Sequence, residues 1–222
     1  MMIREIRYLI GKEAIIEWRN RHALNGILLY LASTIFICYL SLRSQGQYID
    51  SNLWNALFWI IILFSAINAV MKSFITLSQG RLLYYYTLAS PEAIILSKII
   101  YNSLLLAGIG LIGAFFYSIV LGNPVKNTGL FILTIILGAW GLASILTLIS
   151  GIASKAANST TLMAILSFPV ILPVLLLIIK LTGYAIEGMD FSVFGDKILV
   201  LVALNIIALT MSYILFPYLW KN

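Results

Sequence analysis

Few side chains in this sequence have the type and spacing that chemistry needs. His22 is the only histidine, hence the only imidazole available as an axial haem ligand. Flanked by Arg19 and Arg21 at the start of an apolar run, it suits an interfacial side chain equally well. Cys38 is the only cysteine, so one chain can form no disulfide, CxxC pair or thiolate metal set. No GxxxxGK[ST] phosphate loop and no HExxH helix occurs. Any ATP hydrolysis therefore belongs to a separate subunit, and neither catalytic residues nor a metal site are expected here. Two other groups of residues stand out. The first is the polar stretch Lys72–Lys98, which carries Gly80 and Arg81, then Leu82 and Leu83, three tyrosines (Tyr84, Tyr85, Tyr86) and Ser90-Pro91-Glu92. A loop rich in Leu and Tyr anchors suits docking, because such side chains carry most of the energy of small interfaces. The second is Glu13 and Glu17, one helical turn apart beside Trp18 and Arg19.

These groups hang on an apolar framework. The chain of 222 residues is 62% hydrophobic and 10% charged, against about 25% charged in a soluble domain. Its mean hydropathy is +1.03. Long charge-free windows define six spans at about 23–42, 53–72, 99–121, 129–150, 160–181 and 197–217. Each has the roughly 20 residues a helix needs to cross the hydrocarbon core. The runs are continuous, without the alternating segments of a barrel, and backbone groups in lipid must bond within their own segment. The expected fold is an all-α polytopic bundle, one transmembrane permease domain over 1–222. Ser90-Pro91-Glu92 reads as a helix start, with an N-cap serine, proline at the first position and an acid in the first turn.

The net charge of +6 comes without a basic run and does not point to nucleic acid. With the N-terminus cytoplasmic, ten Lys and Arg residues fall inside and four (Arg43, Lys126, Lys180, Lys197) outside, a positive-inside bias. That orientation puts both termini and loop 73–98 in the cytoplasm and loop 183–196, with Glu187, Asp190 and Asp196, outside. The N-terminal stretch does not read as a signal peptide, since Glu5, Glu13 and Glu17 interrupt any apolar core. Residues 2–21 instead suit an interfacial helix on the lipid bilayer, with Ile3, Ile6, Leu9, Ile10 and Ala14 on one face. Glu13 and Glu17 project into that face. Glu17 has Arg21 four residues on, whereas Glu13 has no partner on its own helix, which leaves headgroup solvation or the basic residues of a partner chain. Tyr48, Trp54, Trp18, Tyr218 and Trp220 read as interface anchors, and Trp59 and Trp140 as packing residues. Gly108, Gly110, Gly113, Gly138 and Gly141 suit close helix packing; Pro169 and Pro173 suit a kink. No ionisable residue lies mid-span, which argues against a proton-coupled carrier, and no span shows a polar lining.

An N-terminal amphipathic helix, two spans, a long inner loop and four further spans resemble the membrane subunit of an ABC-2 type exporter. More narrowly, the chain is similar to the CcmB family, the haem exporter permeases of cytochrome c maturation. The likeness rests on Lys12-Glu13-Ala14-Ile15-Ile16-Glu17-Trp18-Arg19, on Gly80-Arg81-Leu82-Leu83 through Leu88-Ala89-Ser90-Pro91 with Lys98 beyond, and on the length with six spans. Ser78-Gln79 stands where the family usually has acids. The resemblance implies an inner-membrane complex with an ABC ATPase (CcmA), the haem-handling protein CcmC, small CcmD and the periplasmic haem chaperone CcmE. In it, ATP hydrolysis is linked to release of the loaded chaperone. It also implies a homodimer, a coupling segment around Gly80–Ala89 that meets the ATPase, and haem as a handled substrate rather than a bound cofactor. An exporter of another lipid, glycan or drug, a scaffold without an ATPase, and a membrane-embedded enzyme are the competing readings.

Overall fold

The computed structural model describes residues 2–19, 21–43, 50–75, 89–154 and 159–221. Seven helices account for nearly all of them: α1 (Met2–Arg19), α2 (Arg21–Arg43), α3 (Ser51–Ile75), α4 (Pro91–Leu121), α5 (Thr128–Ala153), α6 (Ser159–Glu187) and α7 (Phe191–Lys221). No strand occurs among the described residues. The last six are long and apolar enough to cross a membrane, as the charge-free windows imply. Several extend past the apolar run. α4 has 31 residues, about 46 Å at 1.5 Å per residue, which matches a bilayer with its headgroup layers rather than its hydrocarbon alone.

This extension corrects one expectation. Segment 183–196 is mostly helix, and only residues 188–190 join α6 to α7. Glu187 and Asp196 lie within the helices, and only Asp190 falls in the break. The turn works because Gly188 takes φ +76°, a left-handed conformation open to glycine. Its N–H and that of Met189 both donate to the carbonyl of Tyr184, at 3.0 and 3.1 Å. The α4–α5 connection covers the same helix end, with the N–H groups of Lys126 and Asn127 donating to the carbonyl of Ala185. Carbonyls that would otherwise be orphaned at a helix end are thus bonded by two loops.

α5 is the hub and packs on α3, α4, α6 and α7. Its residues and those of α3 are the most buried of the spans, at 67% and 61%, against 17% for α2. Small residues let the backbones approach, as their spacing suggests. A Cβ at Gly110 would meet Ile135, at Gly113 Ile62 and Leu31, and at Gly138 Trp59 and Ile178. Gly108 faces open space and has no such role. α6 continues helical through Pro169 and Pro173, and α7 through Pro217.

Two tryptophans show how the aromatic residues divide. Trp54, expected as an interface anchor, is 1% exposed. It sits at the end of the bundle, but its ring packs against Phe58, Tyr117 and Phe131 and its indole N–H donates to the carbonyl of Gly122 at 3.0 Å. A turn carbonyl gives the N–H the partner that water would give at a lipid surface. Tyr117 completes the group by donating to the carbonyl of Trp54 at 2.9 Å. Trp59 is buried, as its depth suggests. Tyr218, in contrast, is 70% exposed.

Polar side chains do occur within the spans, and they pair with one another. Thr182 donates to Asn55 Oδ1 at 2.7 Å and accepts from Trp59 Nε1 at 2.9 Å, while Asn55 Nδ2 donates to the carbonyl of Ile179. Asn102 donates to Thr147 at 2.8 Å. Asn205 Nδ2 donates to the carbonyl of Leu137 at 2.8 Å, yet its Oδ1 is the one buried side-chain polar atom without a hydrogen-bond partner among the described residues. A Cβ at Gly141 would collide with that oxygen, so the glycine's own Cα–H points toward it and supplies a weak donor. Gly141→Ala is expected to destabilise the protein by about 1–3 kcal/mol through overpacking. A melting series in detergent checks this: the Gly141→Ala/Asn205→Ala pair should melt close to Asn205→Ala alone, and additive losses would show that the contact is not what fixes the glycine.

Candidate functional site

Of the residues singled out by sequence, Ser90, Pro91, Glu92, Glu13 and Glu17 lie at or against the first turns of α4. Ser90 is its N-cap, with the side chain accepting from the N–H of Ala93 at 3.4 Å, and Pro91 opens the helix. Glu92 lies half-buried in the first turn. The capping triplet is therefore a helix start, as its chemistry indicates.

α1 packs along the first turns of α4 and runs in the same direction. Three side-chain contacts in nearly constant register set this alignment. Glu5 accepts from the backbone N–H and the hydroxyl of Ser90 at 3.4 and 3.3 Å. Glu13 accepts from Lys98 Nζ at 3.2 Å, and Glu17 from the Tyr101 hydroxyl at 2.9 Å. The acids are eight and four residues apart on α1, so they fall within one broad side of the helix. Between them Leu9 joins a small apolar cluster of Phe74, Ile94, Ile95, Ile99 and Phe216.

Lys98 is the electrostatic centre of this junction. Its side chain is 3% exposed, whereas that of Glu13 is 19% exposed. The ammonium also sits 4.7 Å from the centroid of Phe74, within reach of a cation–π contact. A charge so far removed from water requires a charged partner, and Glu13 supplies it, with Lys12 close by at 3.5 Å. The groups that meet Glu13 and Glu17 thus have a source in this chain: Lys98 for one, the Tyr101 hydroxyl for the other. The sequence alone hides this partner, because Lys98 lies 85 residues from Glu13.

Other sequence candidates fall elsewhere. Gly80, Arg81, Leu82, Leu83, Tyr84, Tyr85 and Tyr86 lie outside the described residues. Trp18 and His22 belong to α1 and α2, but their side chains lie outside the described set, as does that of Arg21. Arg19 is exposed at the end of α1. No group of His, Cys, Asp and Glu able to hold a metal ion occurs among the described residues.

The chain's sequence matches the family model of the CcmB protein over residues 4–218, from the start of α1 to the end of α7. The chain belongs to the CcmB family. The match spans every element just described, so the α1–α4 junction lies within the family's own region. A comparison with curated proteins found no match. Membership makes the chain a multi-pass membrane subunit of a haem exporter ABC system.

The junction makes a direct energetic prediction for this CcmB-family chain. Removing one partner of a buried ion pair leaves the other charge stranded, at a cost of roughly 3 kcal/mol, the low end of the usual range because Glu13 keeps some solvent. Lys98→Met and Glu13→Gln should therefore each make α1 more sensitive to trypsin at Arg4, Arg7 and Lys12. The Lys98→Met/Glu13→Gln pair should be less sensitive than the sum of the two. Strictly additive proteolysis rates would show the pair to be uncoupled.

Proposed function

We propose that this chain transmits the motion of a separate ABC ATPase across the membrane in cytochrome c maturation, where ATP hydrolysis drives release of a haem-loaded periplasmic chaperone. The family match over residues 4–218 carries this reading. The geometry of the junction supports it. The segment between Ile75 and Ser90 ends on a residue bonded on two sides, by the first turn of α4 and by Glu5 of α1. A partner pressing on that segment acts on both helices together. α4 then carries the displacement about 46 Å to Gly122, whose carbonyl holds Trp54.

In this reading Gly80, Arg81, Leu82, Leu83, Tyr84, Tyr85 and Tyr86 meet the ATPase, with Ser90, Pro91 and Glu92 as the fixed end of the segment. Glu13, Glu17, Trp18 and Arg19 make the N-terminal helix a second contact on the same side, with Glu13 and Glu17 also holding it to α4. Both termini then face the cytoplasm, two copies serve a paired ATPase, and CcmC-, CcmD- and CcmE-like proteins complete the assembly. Haem is handled by the complex rather than bound as a resident cofactor, and His22 is the weak candidate for any direct contact.

Leu82→Asp/Tyr85→Asp is expected to abolish co-purification with the ATPase and to reduce haem-chaperone release at least tenfold. Membrane insertion should stay intact, as read by protein level in the membrane fraction. Unchanged co-purification would remove the docking assignment. Recovery of an ATPase with no haem-handling protein would shift the cargo to another lipid, glycan or drug.

A further inference from the structure

The three carboxylates of α1 face the bundle, and this leaves an unusual surface behind. Glu5, Glu13 and Glu17 are all half-buried against α4. The outward face of α1 carries Arg4, Arg7 and Arg19, all exposed, and no exposed acid. Large apolar side chains alternate with these cations: Ile3 is 82% exposed, Tyr8 67% and Ile15 62%. Arg4 rests over the Tyr8 ring, 5.9 Å from its centroid. Arg4, Arg7, Tyr8, Gly11, Ile15 and Ile16 line one open groove along this face.

Depth decides what can occupy that groove. α4 is long enough to cover a bilayer together with its headgroup layers. α1 bonds to α4 between Ser90 and Tyr101, mostly ahead of the charge-free run that begins at residue 99. That segment therefore runs from headgroup level to the edge of the hydrocarbon, and α1 lies beside it. A face at this depth with cations and apolar residues interleaved meets phosphates and the upper acyl chains together.

We infer that the outward face of α1 is a binding surface for anionic phospholipid, with Arg4 and Arg7 taking the headgroup phosphate and Tyr8, Ile15 and Ile16 the glycerol and upper acyl region. The Lys98–Glu13 pair has an indirect part in this. By drawing an acid inward it leaves the outward field positive. The surface does not depend on which cargo the complex handles.

The test uses the full-length protein in nanodiscs of phosphatidylcholine alone or with one third phosphatidylglycerol, read by hydrogen exchange over residues 2–19. Phosphatidylglycerol should slow exchange in α1 several-fold while leaving α5 unchanged, and 0.5 M salt should abolish the difference. In detergent, a short-chain phosphatidylglycerol should bind roughly 5-fold more weakly for each arginine removed, in Arg4→Gln, Arg7→Gln and the double variant. Lys126→Gln, at the opposite end of the bundle, should bind as the wild type does. Identical exchange in the two lipids, or unchanged binding by the double variant, would overturn the inference. So would a photocrosslinker placed at Arg7 that reacts with residues 76–88 of this chain or with an acidic protein partner instead of lipid. The exchange comparison needs no variant, so a poorly folding substitution does not leave the question open.

Discussion

A lysine almost wholly removed from water cannot be left without a counter-charge, and the architecture of one end of this protein follows from that constraint. Lys98 stands on α4 immediately before the charge-free run that begins at residue 99. Phe74 offers its ring face, but a ring quadrupole alone does not offset the loss of hydration of an ammonium. Glu13 must come to it, and Glu13 brings the rest of α1. Once α1 is aligned by that pair, Glu17 reaches Tyr101 and Glu5 reaches the cap of α4. Leu9 then completes an apolar cluster formed by α3, α4 and α7. One ion pair thereby fixes the position of the helix beside the start of its neighbour.

Within the spans the controlling constraint is different. Lipid offers no hydrogen bonds, so each polar side chain there must be bonded by another helix or by its own backbone. Asn55, Trp59 and Thr182 meet this requirement between α3 and α6, and Asn102 and Thr147 between α4 and α5. They act as directional contacts in a core otherwise held by dispersion. Asn205 is the exception, and it survives because Gly141 leaves room for its oxygen.

How much of this is legible in the sequence depends on the range of the interaction. Hydropathy is cumulative over twenty residues, so the six spans are plain. Capping chemistry is local, so Ser90-Pro91-Glu92 can be read directly. Charges record depth but not where a helix stops, which is why Glu187, Asp190 and Asp196 suggest a long loop where only 188–190 leave the helices. The burial of Trp54 depends on Gly122, and the partner of Glu13 lies 85 residues away. Neither has a local signature. An acid on an apolar helix face is still an informative signal, because it announces that a partner exists even when it cannot name it.

The separation of Glu13 from Lys98 also bears on how the protein is made. α1 leaves the ribosome before α4, and the residue that neutralises Glu13 is synthesised 85 residues later. At about 5–20 residues per second this is a delay of roughly 4–17 s. During that interval two membrane helices, α2 and α3, are produced while α1 has no seat in the bundle. Its cationic face is nonetheless complete from the outset, since Arg4, Arg7 and Arg19 are contiguous with the helix itself. If that face binds anionic phospholipid as inferred above, the nascent chain has a means of waiting at the membrane surface until α4 arrives.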